Sequence, residues 1–246
     1  MIKCLFKQIF ENKQKVMFVF SHPDDAEIYA GGTIARLVEE GKEVRVVKMT
    51  LGNKGSRQEK ITEHELMEIR KREDTASMQV LGIKPENNIY LLLNDGEVNN
   101  SMQTIEKLVK QIREFKPDLI VTHNPEDVFI RFNKNENWIN HRDHRNTGLS
   151  LMDAAYPYSR DILFFPEHFS DEKLQSHTTV EYLLVDYYDH QDQIYIDITE
   201  TLDVKVKALE QHSSQYSKEH AKSLSEYITK VESGRRYEMF RYVLAD

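Results

Sequence analysis

Four short β-rich runs, residues 15–20, 44–49, 89–93 and 119–122, alternate with helical stretches at 33–40, 63–81, 104–115 and 146–155. Nothing else in the chain limits its fold as tightly. Gly41 and Gly82 stand where the first two helical stretches should stop, and Pro117 follows the third. The stretch 63–81 carries Leu66, Ile69, Met78 and Leu81 on its apolar side. Repeated βα units of this length require parallel strands joined by right-handed crossovers. The expectation is an α/β, Rossmann-like fold: a mostly parallel sheet with helices on both faces. The last third reads differently, with strands at 182–186 and 193–198 and helices at 202–215 and 219–232. Repeats, low-complexity tracts and linker-like stretches are absent, so residues 1–246 are expected to form a single domain. Residues 124–140 are polar, asparagine-rich and aperiodic, and read as a long loop, a class that tends to be functional.

Composition excludes several kinds of partner. The 33 Lys and Arg residues against 41 Asp and Glu give a net charge of −8, with no basic stripe to meet a nucleic acid. The longest apolar runs have only five or six residues, too short to span a membrane. Near the N-terminus, Leu5, Phe6, Ile9 and Phe10 are interrupted by Lys7 and Gln8, and no small-residue cleavage site follows. The single cysteine, Cys4, allows no internal disulfide and no cysteine-based zinc site. A cytoplasmic protein is expected, and any metal must be held by imidazole and carboxylate.

The chemistry concentrates in two clusters. Ser21-His22-Pro23-Asp24-Asp25-Ala26-Glu27 follows the apolar run 16–20 directly. Charged groups at the mouth of a buried strand are costly unless compensated, and a divalent metal compensates one imidazole and a carboxylate pair. His141-Arg142-Asp143-His144 lies about 120 residues further on. In a doubly wound sheet of order 3-2-1-4-5 the binding crevice opens between strands 1 and 4, where the His22 cluster after strand 1 would meet His123-Asn124-Pro125-Glu126-Asp127 and His141 to His144 after strand 4. Catalytic zinc keeps three protein ligands and one open position. His22, one of Asp24 and Asp25, and one of His141 and His144 supply that number. The second carboxylate would act as general base, and the second imidazole, oriented by Asp143, would stabilise negative charge. The plainer alternative makes Asp24 or Asp25 a helix cap. Gly31-Gly32 lacks the G-x-G-x-x-G spacing, and carboxylates at that helix entrance would repel phosphate. His64, His168, His177 and His220 have no such company and are expected at the surface.

The first cluster, followed by Gly31-Gly32-Thr33-Ile34-Ala35, resembles the first signature of the LmbE-like, PIG-L-type zinc deacetylases. The resemblance continues through residues 50–56, Arg70-Lys71-Arg72-Glu73, Leu81-Gly82, Asn94-Asp95-Gly96, Thr122-His123-Asn124-Pro125 and His141 to His144. Asp197-Ile198-Thr199 and His212-Ser213-Ser214-Gln215 add weaker matches, in order along the chain. The family removes N-acyl groups from N-acetylglucosaminyl conjugates and related amino sugars. The resemblance implies an LmbE-like deacetylase fold in which His22, Asp25 and His144 bind Zn2+. Fe2+ or another divalent ion suits the same ligands. It makes Asp24 the general base and His141, oriented by Asp143, the oxyanion stabiliser or acid, with Arg70 and Asp95 contacting the sugar. The implied substrate is a small amino-sugar conjugate that loses acetate. Alternatives are an amidase for a longer acyl group or a thiol conjugate, or a metal-containing carbohydrate-binding module without turnover. Homo-oligomerisation is left open.

The chain departs from the family pattern in three places. Many relatives run from an aspartate such as Asp127 straight into His-Pro-Asp-His, whereas residues 128–140 intervene here. Arg142 stands where proline is common, and Asn53 where many relatives carry glutamate. The inserted segment holds Trp138, the only tryptophan, three residues before His141. It is expected to form a lid or pocket wall with Trp138 facing the sugar or aglycone, the alternative being that Trp138 packs the loop onto the domain.

Overall fold

Strand β1 (Lys15–Phe20) sits at the centre of the sheet because its side chains are apolar on both faces. Val16, Phe18 and Phe20 enter one hydrophobic layer, while Met17 and Val19 enter the other. That double burial is what a parallel strand covered by helices on both sides demands. The computed structural model describes residues 5–57, 60–133, 135–186 and 193–245; Cys4 lies outside them. On one side β1 pairs in parallel with β2 (Glu43–Thr50), which pairs with β3 (Asn88–Leu93). On the other it pairs with β4 (Leu119–His123), which pairs with β7 (Glu181–Val185). This is the expected 3-2-1-4 order with the switch point between β1 and β4. The sheet is completed by β10 (Arg235–Leu244), antiparallel to β7 and to β8 (Gln193–Asp197), with β9 (Lys230–Glu232) on β10.

Helices α1 (Phe6–Phe10), α2 (Asp25–Glu39) and the end of α3 (Glu63–Val80) cover the face built on Phe18 and Phe20. Helices α4 (Met102–Phe115) and α5 (Arg142–Asp153) cover the Met17 and Val19 face. Helix α6 (Leu202–Leu209) crosses α2, and α7 (Lys218–Tyr227) packs on α6. None of these helices is long and apolar enough to cross a membrane.

Several boundaries differ from the sequence expectation. Helix α2 begins at Asp25, not residue 33, because the Gly31-Gly32 pair is helical. A Cβ on Gly32 would lie 2.7 Å from Ile198 Cβ, so glycine there permits the close approach of the chain after β8. Residues 129–139 are not an irregular loop. They form a hairpin of β5 (Phe129–Asn133) and β6 (Glu136–Ile139), whose asparagines mask the alternation. The helix expected over 202–215 ends at Leu209, where the chain turns to bury His212 completely. The helix expected over 219–232 ends at Tyr227, and residues 230–232 pair with β10 across a two-residue turn. Ser233 and Gly234 there have φ of 52° and 78°, the left-handed pair that suits a tight hairpin. His168 is not a surface residue: it is buried, stacked on Phe165 and within 3.3 Å of the buried Arg113 guanidinium.

Candidate active site

The chain leaves β1, turns through Ser21–Asp24 and enters α2 at Asp25. Asp24 occupies the N-cap position at φ 95°, a conformation that L-residues adopt rarely and that clusters at functional sites. Its side chain does not cap the helix. Instead Oδ2 accepts from the Arg70 guanidinium and the Tyr216 hydroxyl, each at 3.0 Å. Arg70 also donates to Pro23 O at 2.6 Å and Gly52 O at 3.0 Å, so the buried guanidinium fixes the whole turn. Gly52 is needed beside it, since a Cβ would lie 1.9 Å from Arg70 Nη1.

Asp25 stands in the first turn of α2, where the helix N-terminus favours an anion, and Oδ2 accepts the His22 backbone N–H at 2.8 Å. Four imidazoles gather around it. His141 is the N-cap of α5 and His144 lies in its first turn. Gly148, one turn on, lets α5 press against the end of β4; a Cβ there would be 2.3 Å from His123 O. The Ser21 and Thr147 hydroxyls, 2.8 Å apart, tie α5 to the end of β1. As a result His22 Nδ1 lies 3.4 Å from Asp25 Oδ2, and His144 Nε2 lies 3.3 Å from Asp25 Oδ1. His123 Nε2 is also 3.3 Å from Asp25 Oδ2. His22 and His141 meet edge to face, their ring centres 4.8 Å apart.

These contacts fit a small divalent ion. Donor atoms held about 2.0–2.1 Å from a tetrahedral centre stand about 3.3–3.4 Å from one another. Three contacts to Asp25 come close to that edge: His22 Nδ1 and His123 Nε2 to Oδ2, and His144 Nε2 to Oδ1. Donor atoms of His22, His141 and His144, and of Asp25, His123 and His144, also lie within 4.8 Å of one another. Nitrogen and oxygen donors of this kind suit zinc, iron or manganese. The second partners of the rings also fit. His22 Nε2 faces Asp95 Oδ1 at 3.2 Å and Asp143 Oδ2 at 3.3 Å, which leaves Nδ1 to face the ion. His144 Nδ1 lies toward Asp186, which leaves Nε2 to face it.

The electrostatics follow from burial and pairing. Burial lowers the His22 pKa, but the carboxylates of Asp143, Asp25 and Asp95 outweigh it and hold the ring well above its ordinary value. Burial would raise the Asp25 pKa, yet His144, His123 and His22 keep it well below the usual carboxylate range. Asp95 is pulled to about 2, since its bond to His22 outweighs burial. Burial raises the Asp24 pKa despite Arg70, which makes it the more basic of the neighbouring carboxylates. Burial, with the charges of His22 and His144, lowers the His141 pKa. His141 Nδ1 accepts the Asp143 N–H at 3.1 Å, so in the neutral ring Nε2 carries the proton and is a donor.

The structure therefore brings His22, Asp24, Asp25, His141, Asp143 and His144 to one crevice. Asp143 meets His141 through its backbone N–H; its carboxylate accepts from Gly96 N at 2.7 Å and Val98 N at 3.2 Å and faces His22. Arg70 and Asp95 lie behind Asp24 and His22 respectively. Trp138 packs against Phe132 and Tyr227, its ring centre 4.4 Å and 5.8 Å from theirs. His123, Asp186 and Tyr216 join the site without being singled out as site residues by the sequence. His123 and Asp186 end apolar strands as the first cluster does, which is the signal that marks them. Behind the crevice, buried Glu27 and His212 pair at 2.9 Å, and Glu27 also accepts from Ser77.

Comparison with known proteins adds an independent line. Residues 17–155 match the PIG-L family, described as GlcNAc-PI de-N-acetylase. The diacetylchitobiose deacetylase of Thermococcus kodakarensis is 26% identical over 246 residues, covering 95% of this chain and 85% of the relative. The 1D-myo-inositol 2-acetamido-2-deoxy-alpha-D-glucopyranoside deacetylase of Mycobacterium sp. (strain KMS) is 24% identical over 251 residues, covering 82% of this chain and 74% of the relative. Among solved structures, the N,N'-diacetylchitobiose deacetylase from Pyrococcus horikoshii, complexed with an inhibitor, superposes with a TM-score of 0.82. It is 29% identical, and the match covers 97% of this chain and 87% of that one.

Proposed function

The chain belongs to the PIG-L family of GlcNAc-PI de-N-acetylases, and we propose that it is a metal-dependent hydrolase that removes the N-acetyl group from an N-acetylglucosamine-type sugar or conjugate, releasing acetate and a free amine. The observation that carries this reading is the convergence of His22 and His144 on Asp25, at 3.4 Å and 3.3 Å from its two oxygens, beside a second carboxylate and a second imidazole. We assign His22 Nδ1, Asp25 and His144 Nε2 as ligands of a divalent ion, zinc by preference. When bound, such an ion supplies Lewis acidity, which polarises an amide carbonyl and makes water more acidic.

The protein groups then divide the proton work. Asp24 Oδ2 is taken by Arg70 and Tyr216, and among the described residues no donor meets Oδ1. Oδ1 is the oxygen that accepts the proton of the attacking water. His141 offers Nε2–H to the oxygen of the developing tetrahedral centre, its ring held by the Asp143 N–H. The proton on Asp24 then passes to the leaving amine. Arg70 and Asp95 serve as the supports of Asp24 and His22, and the sugar is bound by groups nearer the rim. The β5–β6 hairpin closes through Asn140 N to Val128 O at 2.8 Å, immediately before His141, and exposes Val128, Phe129 and Ile139. We assign that apolar surface to the conjugate attached to the amino sugar.

The test is a panel of N-acetylhexosamine conjugates incubated with the zinc-loaded protein, with mass-spectrometric detection of a 42 Da loss (about one ketene-equivalent, the mass signature of deacetylation). Release of acetate from at least one member supports the reading. Binding of N-acetyl sugars without release of acetate counts against it, as does turnover confined to longer-acyl analogues added to the same panel.

A further inference from the structure

We infer that Asp186 and His123 are positioning residues that hold the Asp25 carboxylate and the His144 imidazole at the spacing a divalent ion requires. The inference rests on the reading of Asp25 and His144 as ligands. His123 is the last residue of β4, and Asp186 follows the last residue of β7. The parallel pairing sets His123 opposite Val185, so strand register brings together two residues 63 apart in sequence. Both are buried, and Asp186 is held at φ 60°, in the left-handed region that an aspartate enters at some cost.

One carboxylate backs two rings. Asp186 Oδ2 lies 2.7 Å from His123 Nδ1 and 3.7 Å from His144 Nδ1. The second distance is too long for a hydrogen bond, and among the described residues no hydrogen-bond partner meets the buried His144 Nδ1 or Asp186 Oδ1. His144 is instead held by stacking on His123, with ring centres 3.8 Å apart and planes 14° from parallel. The two rings present their Nε2 atoms to the two oxygens of Asp25, each at 3.3 Å. Asp25 is thereby gripped from the side of β4 as well as from its own helix. A purely structural tie is the competing account: His123 Nε2 also lies 3.4 Å from Ser21 N and joins the ends of β1 and β4. That account moves stability but not metal affinity.

The experiment uses the full chain. Zinc dissociation constants are measured by competition with a chromogenic chelator, and the visible spectrum of the cobalt-substituted protein reports ligand geometry. Asp186→Asn keeps the shape and one acceptor oxygen but removes the charge and the second acceptor. His123→Gln keeps an amide near the Nε2 position and breaks the link to Asp186. The expected result is a 10–100-fold weaker zinc affinity in both, with shifted cobalt bands, in addition to the lower melting temperature of the metal-free protein that loss of the buried His123–Asp186 pair brings. Wild-type zinc affinity together with an unchanged cobalt spectrum in the folded variants overturns the inference. If His123→Gln does not fold, Asp186→Asn decides the matter alone. Asp25→Asn serves as reference. Undiminished zinc affinity in that variant defeats the ligand assignment itself, whereas loss of zinc there with none in Asp186→Asn defeats only the positioning role.

Discussion

Asp24→Asn separates the two adjacent carboxylates, and the structure fixes what it should do. The amide oxygen can replace Oδ2 as acceptor for Arg70 and Tyr216, both at 3.0 Å, so the turn keeps its bonds. The amide nitrogen then stands where Oδ1 was and cannot take a proton. General acid–base catalysis contributes about 10²–10⁴-fold, so kcat should fall by that factor, about 2.7–5.5 kcal/mol on the barrier. Stability should change little. Any loss comes from leaving the buried Arg70 guanidinium without its charged partner, and it is held below the ~3–5 kcal/mol of a fully broken buried pair because both hydrogen bonds to the amide oxygen remain and the burial of the Asp24 charge is relieved. Zinc content should be that of the parent, because Asp24 touches none of the assigned ligands through its carboxylate. The assay is kcat from acetate release, with elemental analysis and a melting curve on the same sample. Tyr216→Phe provides the control: it removes one donor to Oδ2 but leaves the base, so its loss should not exceed the worth of one hydrogen bond to a charged group, about 1.5–3 kcal/mol or roughly 10–160-fold. Near-parental kcat in zinc-loaded Asp24→Asn refutes the assignment of the base, and loss of zinc would make Asp24 a ligand instead.

Other outcomes follow from the same geometry. His144→Ala should abolish stoichiometric zinc, and full occupancy by elemental analysis would remove His144 from the ligand set. His212→Asn should cost about 3–5 kcal/mol in urea denaturation, since it leaves Glu27 buried without its charged partner. Burial lowers the His212 pKa, but Glu27 raises it above its ordinary 6.5, so this contribution is full below that value and is lost as pH rises through the elevated one. Burial raises the Glu27 pKa, but His212 pulls it below its ordinary 4.5, so its contribution is full above that value and is lost in acid. The parent should therefore gain most from the pair between pH 4.5 and 6.5, and the variant should lose that gain; parallel stability–pH curves would contradict the pairing. Trp138→Ala should lower stability by about 1–3 kcal/mol through two lost aromatic contacts. It should raise KM more than it lowers kcat, and an unchanged KM would take the hairpin out of substrate binding.

What the sequence makes legible is whatever depends on local pattern. Val16 to Phe20 announces a doubly buried strand, and the polar residues that follow it announce a cost that something must offset. Gly41 and Gly82 mark the ends of α2 and α3 because both take a left-handed φ, 76° and 77°. Helix α2 hides its first turns, since Gly31-Gly32 reads as a break when only close packing on Ile198 explains it. Strand β10 is hidden for a similar reason. It lies between β7 and β8, but its arginines and Tyr242 reach solvent and Glu238 is buried in its middle, so the run lacks the uniform apolar character of β1.

The site shows where local pattern stops. His22 and Asp25 are three residues apart, and His141 and His144 likewise, so each pair is visible as a cluster, and a shared metal is the simplest reason for two such clusters. Their partners come from sheet register instead. Asp186 reaches His123 only because β4 and β7 pair with His123 opposite Val185, and Tyr216 reaches Asp24 only because α6 ends early and the chain turns back. Arg70 and Asp95, expected to contact the sugar, are turned inward to Asp24 and His22, so side chains that resemble substrate contacts in the sequence act here as supports of the reacting groups. The inserted hairpin, which leads into His141 and exposes Phe129, Trp138 and Ile139, is the element that this chain does not share with the usual motif spacing. Differences in the conjugate accepted should therefore track residues 128–140 rather than the histidines and aspartates beneath them.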